Sequence, residues 1–220
     1  MRILAICGSP RGKQSSTRRL IEKVLEGAVS AGANTELVDL SEVAVSYCKA
    51  CGACHVSGNC PIQDDFEPVR GKMLACDGLV LGSPNYFNTV TAQLKSVLDR
   101  LSSEIHCQEF LGKYACCVTT AGGPEFDMVN DYLTGVLVRL GCSAVGSAGA
   151  GMSIPGSFDQ AQQDALALGR DLVNAIQEKR AYPEQEPVHK AMHERFKHLV
   201  SLNKDTWRHE YDIWRANGWL

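Results

Sequence analysis

The 220-residue sequence has no apolar run approaching the roughly 20 residues that a helix needs to cross a bilayer, so no membrane-spanning helix is expected. It has no surplus of positive charge. A formal charge of −3 supplies neither the basic field that nucleic acid demands nor a polybasic membrane signal. The two common nucleotide-phosphate signatures are missing: no G-x-G-x-x-G occurs, and no Gly-Lys-Ser/Thr follows a glycine-rich turn. The six histidines form no H-E-x-x-H. No tryptophan occurs before Trp207, and there is no internal repeat or low-complexity tract.

What remains is an ordinary globular composition, 45% hydrophobic and 21% charged, in a chain long enough for one well-buried domain with an appendage. Cysteine is the exception, with ten residues. The apolar start, Ile3 to Cys7, is too short for a signal-peptide core, which leads to the expectation of a cytoplasmic protein. In that compartment cysteine richness points to metal or redox use rather than to disulfides.

Hydrophobic patterning alternates between short apolar runs and helical spacing. Residues 2–7, 35–40, 78–82, 114–119 and 142–148 read as strands. Helices are expected from Ser15-Ser16-Thr17 to Gly32, onward from Asp64, and over 91–102, 127–140 and 158–179. The stretch 47–63 has no period and reads as an inserted loop. Strands alternating with helices imply an α/β fold: a parallel sheet covered on both faces, with ligands beyond the carboxyl ends of its strands. The Pro-containing segment Tyr182–Pro187 divides a domain over 1–181 from a helical, aromatic-rich C-terminal extension over 182–220.

Between the first strand and first helix stands Gly8-Ser9-Pro10-Arg11, followed by Ser15-Ser16-Thr17. A helix N-terminus carries unpaired N–H groups and partial positive charge. Hydroxyls of Ser9, Ser16 and Thr17 add donors and Arg11 adds charge, so the turn suits a phosphate. Helix capping alone would also explain the Ser15–Thr17 cluster. Its position after the first strand of a parallel sheet favours a mononucleotide phosphate.

Three segments then fall together: GSPRGKQSST at 8–17, GSPNYFNTVTAQLKSVLDR at 82–100 and TTAGGPE at 119–125. They resemble the NAD(P)H-dependent FMN reductase family. Together with CKACGACHVSGNC at 48–60, they resemble most its iron-sulfur flavoprotein branch. The resemblance implies a flavodoxin-like three-layer sandwich around a five-stranded parallel sheet of order 2-1-3-4-5. It also implies that Ser9, Arg11, Ser16 and Thr17 hold the FMN phosphate. Ser83, Pro84, Asn85, Tyr86 and Phe87 would run along the ring and ribityl chain, and Thr120, Gly122 and Gly123 would close the other edge. Lys95, Asp99 and Arg100, on the following helix, read as salt-bridged surface residues outside the site.

Cys48, Cys51, Cys54 and Cys60 are spaced C-x2-C-x2-C-x5-C, so four thiolates converge on one centre without help from distant chain. The first three match the ferredoxin-type run, and Pro61 after the last cysteine has a counterpart there. A 4Fe-4S cluster is the first choice. Zinc, which more often uses two separated knuckles, is its rival, and a loop of metal-free thiols is the bland alternative. The loop follows the second strand, whose carboxyl end shares the rim with the phosphate turn, so the two centres are expected to be close. His55 reads as a loop residue or a donor behind the ligands. Cys7, Cys76, Cys107, Cys116, Cys117 and Cys142 lack ligand spacing and read as core. His106, His189, His193, His198 and His209 default to solvated surface.

The function expected is oxidoreduction through FMN, with NAD(P)H or a ferredoxin-like donor on one side and a small-molecule or protein acceptor on the other. Flavin accepts electron pairs and a cluster single electrons, so the two join different chemistries. No catalytic side chain is named, because positioning and cofactor potential would carry the reaction. Three rivals stand beside this reading: a cluster-free FMN or quinone reductase with a thiol or zinc loop, a carrier with no substrate of its own, and a flavin-free binding module with a zinc knuckle. The aromatic tail needs cover from the domain or from a second subunit, which favours a homodimer or homotetramer. No nucleic-acid or membrane partner is expected.

Overall fold

The computed structural model describes residues 1–220. Five strands, β1 (Arg2–Cys7), β2 (Asn34–Asp39), β3 (Gly78–Pro84), β4 (Tyr114–Ala121) and β5 (Ser143–Gly151), form one sheet of order β2-β1-β3-β4-β5. Every neighbouring pair is parallel, with Cys7 opposite both Asp39 and Gly82. This is the flavodoxin-like order, and all five carboxyl ends therefore lie on one edge. A bulge at Ala115/Cys116 shifts the β4–β5 register.

The helices are α1 (Ser16–Ser30), α2 (Ala53–Ser57), α3 (Phe66–Ala75), α4 (Ala92–Asp99), α5 (Ser102–His106), α6 (Asp127–Leu140), α7 (Ser157–Glu178), α8 (Glu186–Leu202) and α9 (Arg208–Ala216). The strands are buried on both faces, as their unbroken apolar runs require. In β1, Leu4 and Ile6 enter a core shared with α3, α4 and α6, while Ile3, Ala5 and Cys7 enter a second core under α1 and α7. Helices α1 and α7 cross almost backbone to backbone. A Cβ at Gly27 would meet the Leu166 carbonyl oxygen at 2.1 Å, and one at Gly169 would meet that of Val24 at 1.9 Å.

Two local expectations are corrected. The loop 47–63 is not wholly irregular: α2 forms inside it, held between Gly52 and Gly58, which both adopt positive φ. The helix expected over 91–102 breaks after Asp99, and α5 begins at Ser102. The six cysteines outside the motif are all buried, as core residues. Burial pushes the Cys7 and Cys76 thiols up to about 11 and those of Cys117 and Cys142 to about 12, which disfavours the thiolate form.

The tail folds back onto the chain. Phe196, Val200 and Trp214 make a small core of their own, flanked by Ile105, Met192, Leu199, Tyr211 and Trp219. Of the two expected ways of covering the aromatic tail, cover within one chain is the one observed, so the stripe no longer argues for a second subunit. At the edge of the sheet, the Gln185 amide accepts from the Ala144 N–H at 2.9 Å and donates to the Ala144 carbonyl at 2.8 Å. No helix is long and apolar enough to cross a membrane.

Candidate functional site

At the carboxyl edge of the sheet a cleft of about 210 Å³ opens between the ends of β1, β3 and β4. Ser9, Arg11, Ser16, Thr17, Pro84, Asn85, Tyr86, Thr120 and Gly122 line it, together with Ser15, Ala121 and Met152. Ser15 caps α1, accepting from the Arg18 N–H at 3.1 Å, worth about 1 kcal/mol to the helix. That cap leaves the N–H groups of Ser16 and Thr17 without an intrahelical acceptor. The buried hydroxyls of Thr17 and Thr120 share a 2.6 Å hydrogen bond, which ties the helix N-terminus to the end of β4. Hydroxyls, first-turn N–H groups and one cation in a cleft with an aromatic wall fit a phosphorylated, flat ligand.

The segment after β3 is fixed from several sides. Asn85 donates its backbone N–H to the Thr120 carbonyl at 2.7 Å and its amide to the Glu125 carbonyl at 2.7 Å. Tyr86 and Thr89 exchange hydrogen bonds of 2.9 and 3.2 Å around a two-residue hairpin turn. That turn holds Phe87 and Asn88 at φ 51° and 60°, an unusual backbone for a bulky residue. Phe87 is fully exposed, Ser83 is buried with its hydroxyl donating to the Pro84 carbonyl, and Gly123 stands outside the lining. These three of the expected flavin-site residues are therefore not among those gathered at the cleft.

A second cavity, of about 220 Å³, gathers Cys48, Cys51, Cys54 and Cys60 with His55, Asp99, Arg100 and Ser102. All four thiols are free. Burial, then the Glu104 carboxylate, pushes the Cys54 thiol up to about 11, so a bound metal must displace its proton. The loop's base is pinned by two aspartates: Asp64 accepts from the Ser46 N–H at 2.8 Å and Asp65 from the Ala44 N–H at 2.7 Å. Four thiols around one small cavity form a donor set for a tetrahedral metal or a cluster.

Arg100 corrects the reading of a surface ion pair. Lys95 and Asp99 do pair at the surface, at 2.5 Å, but Arg100 turns inward and is 3% exposed. Its Nη1 donates to Asp64 at 2.6 Å and to the Ser46 carbonyl at 3.2 Å, and its guanidinium lies 4.1 Å from the centre of the Phe66 ring. The two sites share α4. Its N-cap Thr91 donates to the Gly8 carbonyl of the phosphate turn at 2.5 Å, and Arg100 at its far end lines the cysteine cavity. The eight residues between them make about 12 Å of helix.

The tail closes the cysteine loop from outside. Buried Glu210 of α9 accepts from His55 Nδ1 at 2.5 Å and from His106 Nδ1 at 3.1 Å, and Trp207 stacks on both rings. Burial disfavours the Glu210 carboxylate, but the two imidazoles outweigh it and hold its pKa below the ordinary value. Gly58 adopts φ +76° beneath His209, where a Cβ would lie 2.4 Å from the ring. The expectation of solvated histidines therefore fails for most of them. His106 binds Glu210, His189 contacts the Cys142 carbonyl at 3.1 Å and His193 packs on Trp214, while His198 is exposed.

With this geometry in view, comparison with known proteins gives a consistent result. The family profile of NADPH-dependent FMN reductase matches residues 1–154. The chain belongs to that family. An iron-sulfur flavoprotein of Archaeoglobus fulgidus is 30% identical over the full length of both chains. An iron-sulfur flavoprotein of Methanocaldococcus jannaschii is 39% identical over 100 residues, which cover 46% of this chain and 51% of that one. Among solved structures, an NAD(P)H:quinone oxidoreductase from Methanothermobacter marburgensis superposes with a TM-score of 0.61 at 19% identity, covering 78% of this chain and 96% of its own. This FMN reductase family member is an FMN-binding oxidoreductase of the flavodoxin-like class, and its family implies an electron donor and an acceptor.

Residues that the sequence reading missed or assigned to the surface fall into two kinds. Met152, which follows β5, was reachable from the strand-end rule. Arg100, His106 and Glu210 carry no local signal, since each gains its place through contacts tens to more than a hundred residues away.

Proposed function

We propose that this protein binds FMN in the rim cleft and couples it to a 4Fe-4S cluster held by Cys48, Cys51, Cys54 and Cys60. The observation that carries the reading is the gathering of four free thiols around one cavity, linked by α4 to a hydroxyl-rich cleft at the strand ends. The name iron-sulfur flavoprotein borne by the relatives supports it. Residues 182–220 act as an extension that steadies the cysteine loop.

In the rim cleft Ser9, Ser16 and Thr17 with Arg11 hold the phosphate, Pro84, Asn85 and Tyr86 follow the ring and ribityl chain, and Thr120 and Gly122 border its other side. Bound flavin supplies exchange between electron pairs and single electrons, and the cluster supplies single-electron exchange. The protein's own part is to bind, orient and limit solvent around both groups. NAD(P)H or a ferredoxin-like protein is the donor.

Anaerobically purified protein should release FMN on denaturation, contain iron and acid-labile sulfide, and give a cluster signal by electron paramagnetic resonance after reduction. Stoichiometric zinc, or no metal after anaerobic reconstitution, would refute the cluster. Release of FAD would refute the flavin assignment.

A further inference from the structure

Arg100 has more hydrogen-bonding capacity than its protein partners use. Nη1 is satisfied by Asp64 and Ser46, whereas Nε and Nη2 are buried and find no nitrogen or oxygen acceptor, the Cys60 sulfur being the one remaining polar group that interacts with the guanidinium. Leaving a charged donor unpaired away from water is costly, so such a group is informative. The unpaired side belongs to a residue that lines the cysteine cavity, beside Cys60. Asp64 and the stacked Phe66 ring hold the head in place from behind.

We infer that Arg100 is a positioning residue for the cluster, donating Nε–H and Nη2–H to the sulfur atoms around Cys60 and holding a fixed positive charge against them. This inference rests on the cluster reading and assigns a role to a residue outside the four ligands. Hydrogen bonds to sulfur and a nearby cation both favour the more negative, reduced state, so Arg100 raises the reduction potential. A tetrahedral zinc site offers four thiolates and no inorganic sulfide, and so fewer acceptors for a two-donor fork.

The test is a redox titration of full-length protein reconstituted anaerobically with ferrous iron and sulfide, followed by paramagnetic resonance. Arg100→Gln combined with Asp64→Asn removes the fork without leaving a lone buried carboxylate. It should shift the ratio of oxidised to reduced cluster tenfold or more at a fixed potential, about 59 mV for one electron, toward the oxidised form. Arg100→Lys keeps the charge and the pair with Asp64, so it tests the fork even if the double variant does not fold. It should shift the ratio in the same direction by less. Full iron and sulfide content with the wild-type potential in Arg100→Lys and in the folded double variant overturns the inference while leaving the cluster in place. Wild-type protein that takes up no iron or sulfide overturns the cluster reading and this inference together.

Discussion

The rim cleft and the cysteine cavity are built by opposite means. Most of the cleft's wall is the end of a strand or the first residues after it, the rest being Arg11 and the start of α1, so the sheet itself sets the positions of Ser9, Pro84 and Thr120. The cysteine cavity takes its donors and most of its wall from one loop, with only Asp99, Arg100 and Ser102 added from the α4–α5 junction, and its outer brace comes from α9 at the other end of the chain. A site grown from the sheet inherits the sheet's rigidity, whereas a site grown from a loop has to borrow it. The two should therefore come apart under different perturbations.

The largest separation is expected from the ligands. Replacing Cys48, Cys51, Cys54 or Cys60 singly with alanine should abolish or alter the cluster, read as iron and sulfide per chain, while FMN content stays at the wild-type level. Cys76→Ala, in the core, should spare both. Next comes the brace. Glu210→Ala removes two hydrogen bonds from a buried carboxylate, on the order of 3 kcal/mol. Hydrogen exchange should quicken in α2 and α9 while the β1–α1 turn keeps its protection, and equal quickening in both regions would erase the proposed distinction.

How far each region was legible follows from the same contrast. The strands, their order and α6 could be read because apolar runs and helical spacing are local, and the resemblance supplied the order. The cysteine spacing was equally plain. Arg100 was misplaced because Lys95 and Asp99, four residues apart, make a convincing surface pair, and nothing nearby in sequence shows that the helix ends at Asp99 and turns Arg100 toward Asp64. Glu210 looks like an ordinary helix-surface acid, and its two imidazole partners lie 155 and 104 residues away. Phe87 was expected along the ring because it follows Tyr86, but the hairpin turn sends it to solvent.

Two smaller effects sharpen the comparison. Ser16→Ala removes one hydroxyl donor at the helix N-terminus and should weaken FMN binding roughly tenfold, about 1.5 kcal/mol, by fluorescence titration, with little change in melting temperature. Unchanged affinity would reduce Ser16 to a helix-start residue. The smallest effect should come from acid. Burial opposes the Asp64 carboxylate, but Arg100 and the N–H groups of Ser46 and Phe66 outweigh it and bring its pKa down to about 2. A carboxyl depressed in the folded state contributes stability above its unfolded pKa near 4, and that contribution is lost as pH falls toward 2. Between those values the cysteine loop should loosen, seen as faster thiol labelling of metal-free protein transferred briefly to acid and labelled at neutral pH before it recovers. Asp64→Asn should flatten the dependence.

The hold of Gln185 on Ala144 bears on whether another chain can add to the edge of the sheet. β5 is an outer strand, and a parallel sheet with an uncovered outer strand invites another chain to add to it. Both main-chain groups of Ala144 that such a newcomer would need are already taken by one side-chain amide. Addition of a strand there is thereby opposed at the start of β5 by a residue belonging to neither the sheet nor either cavity.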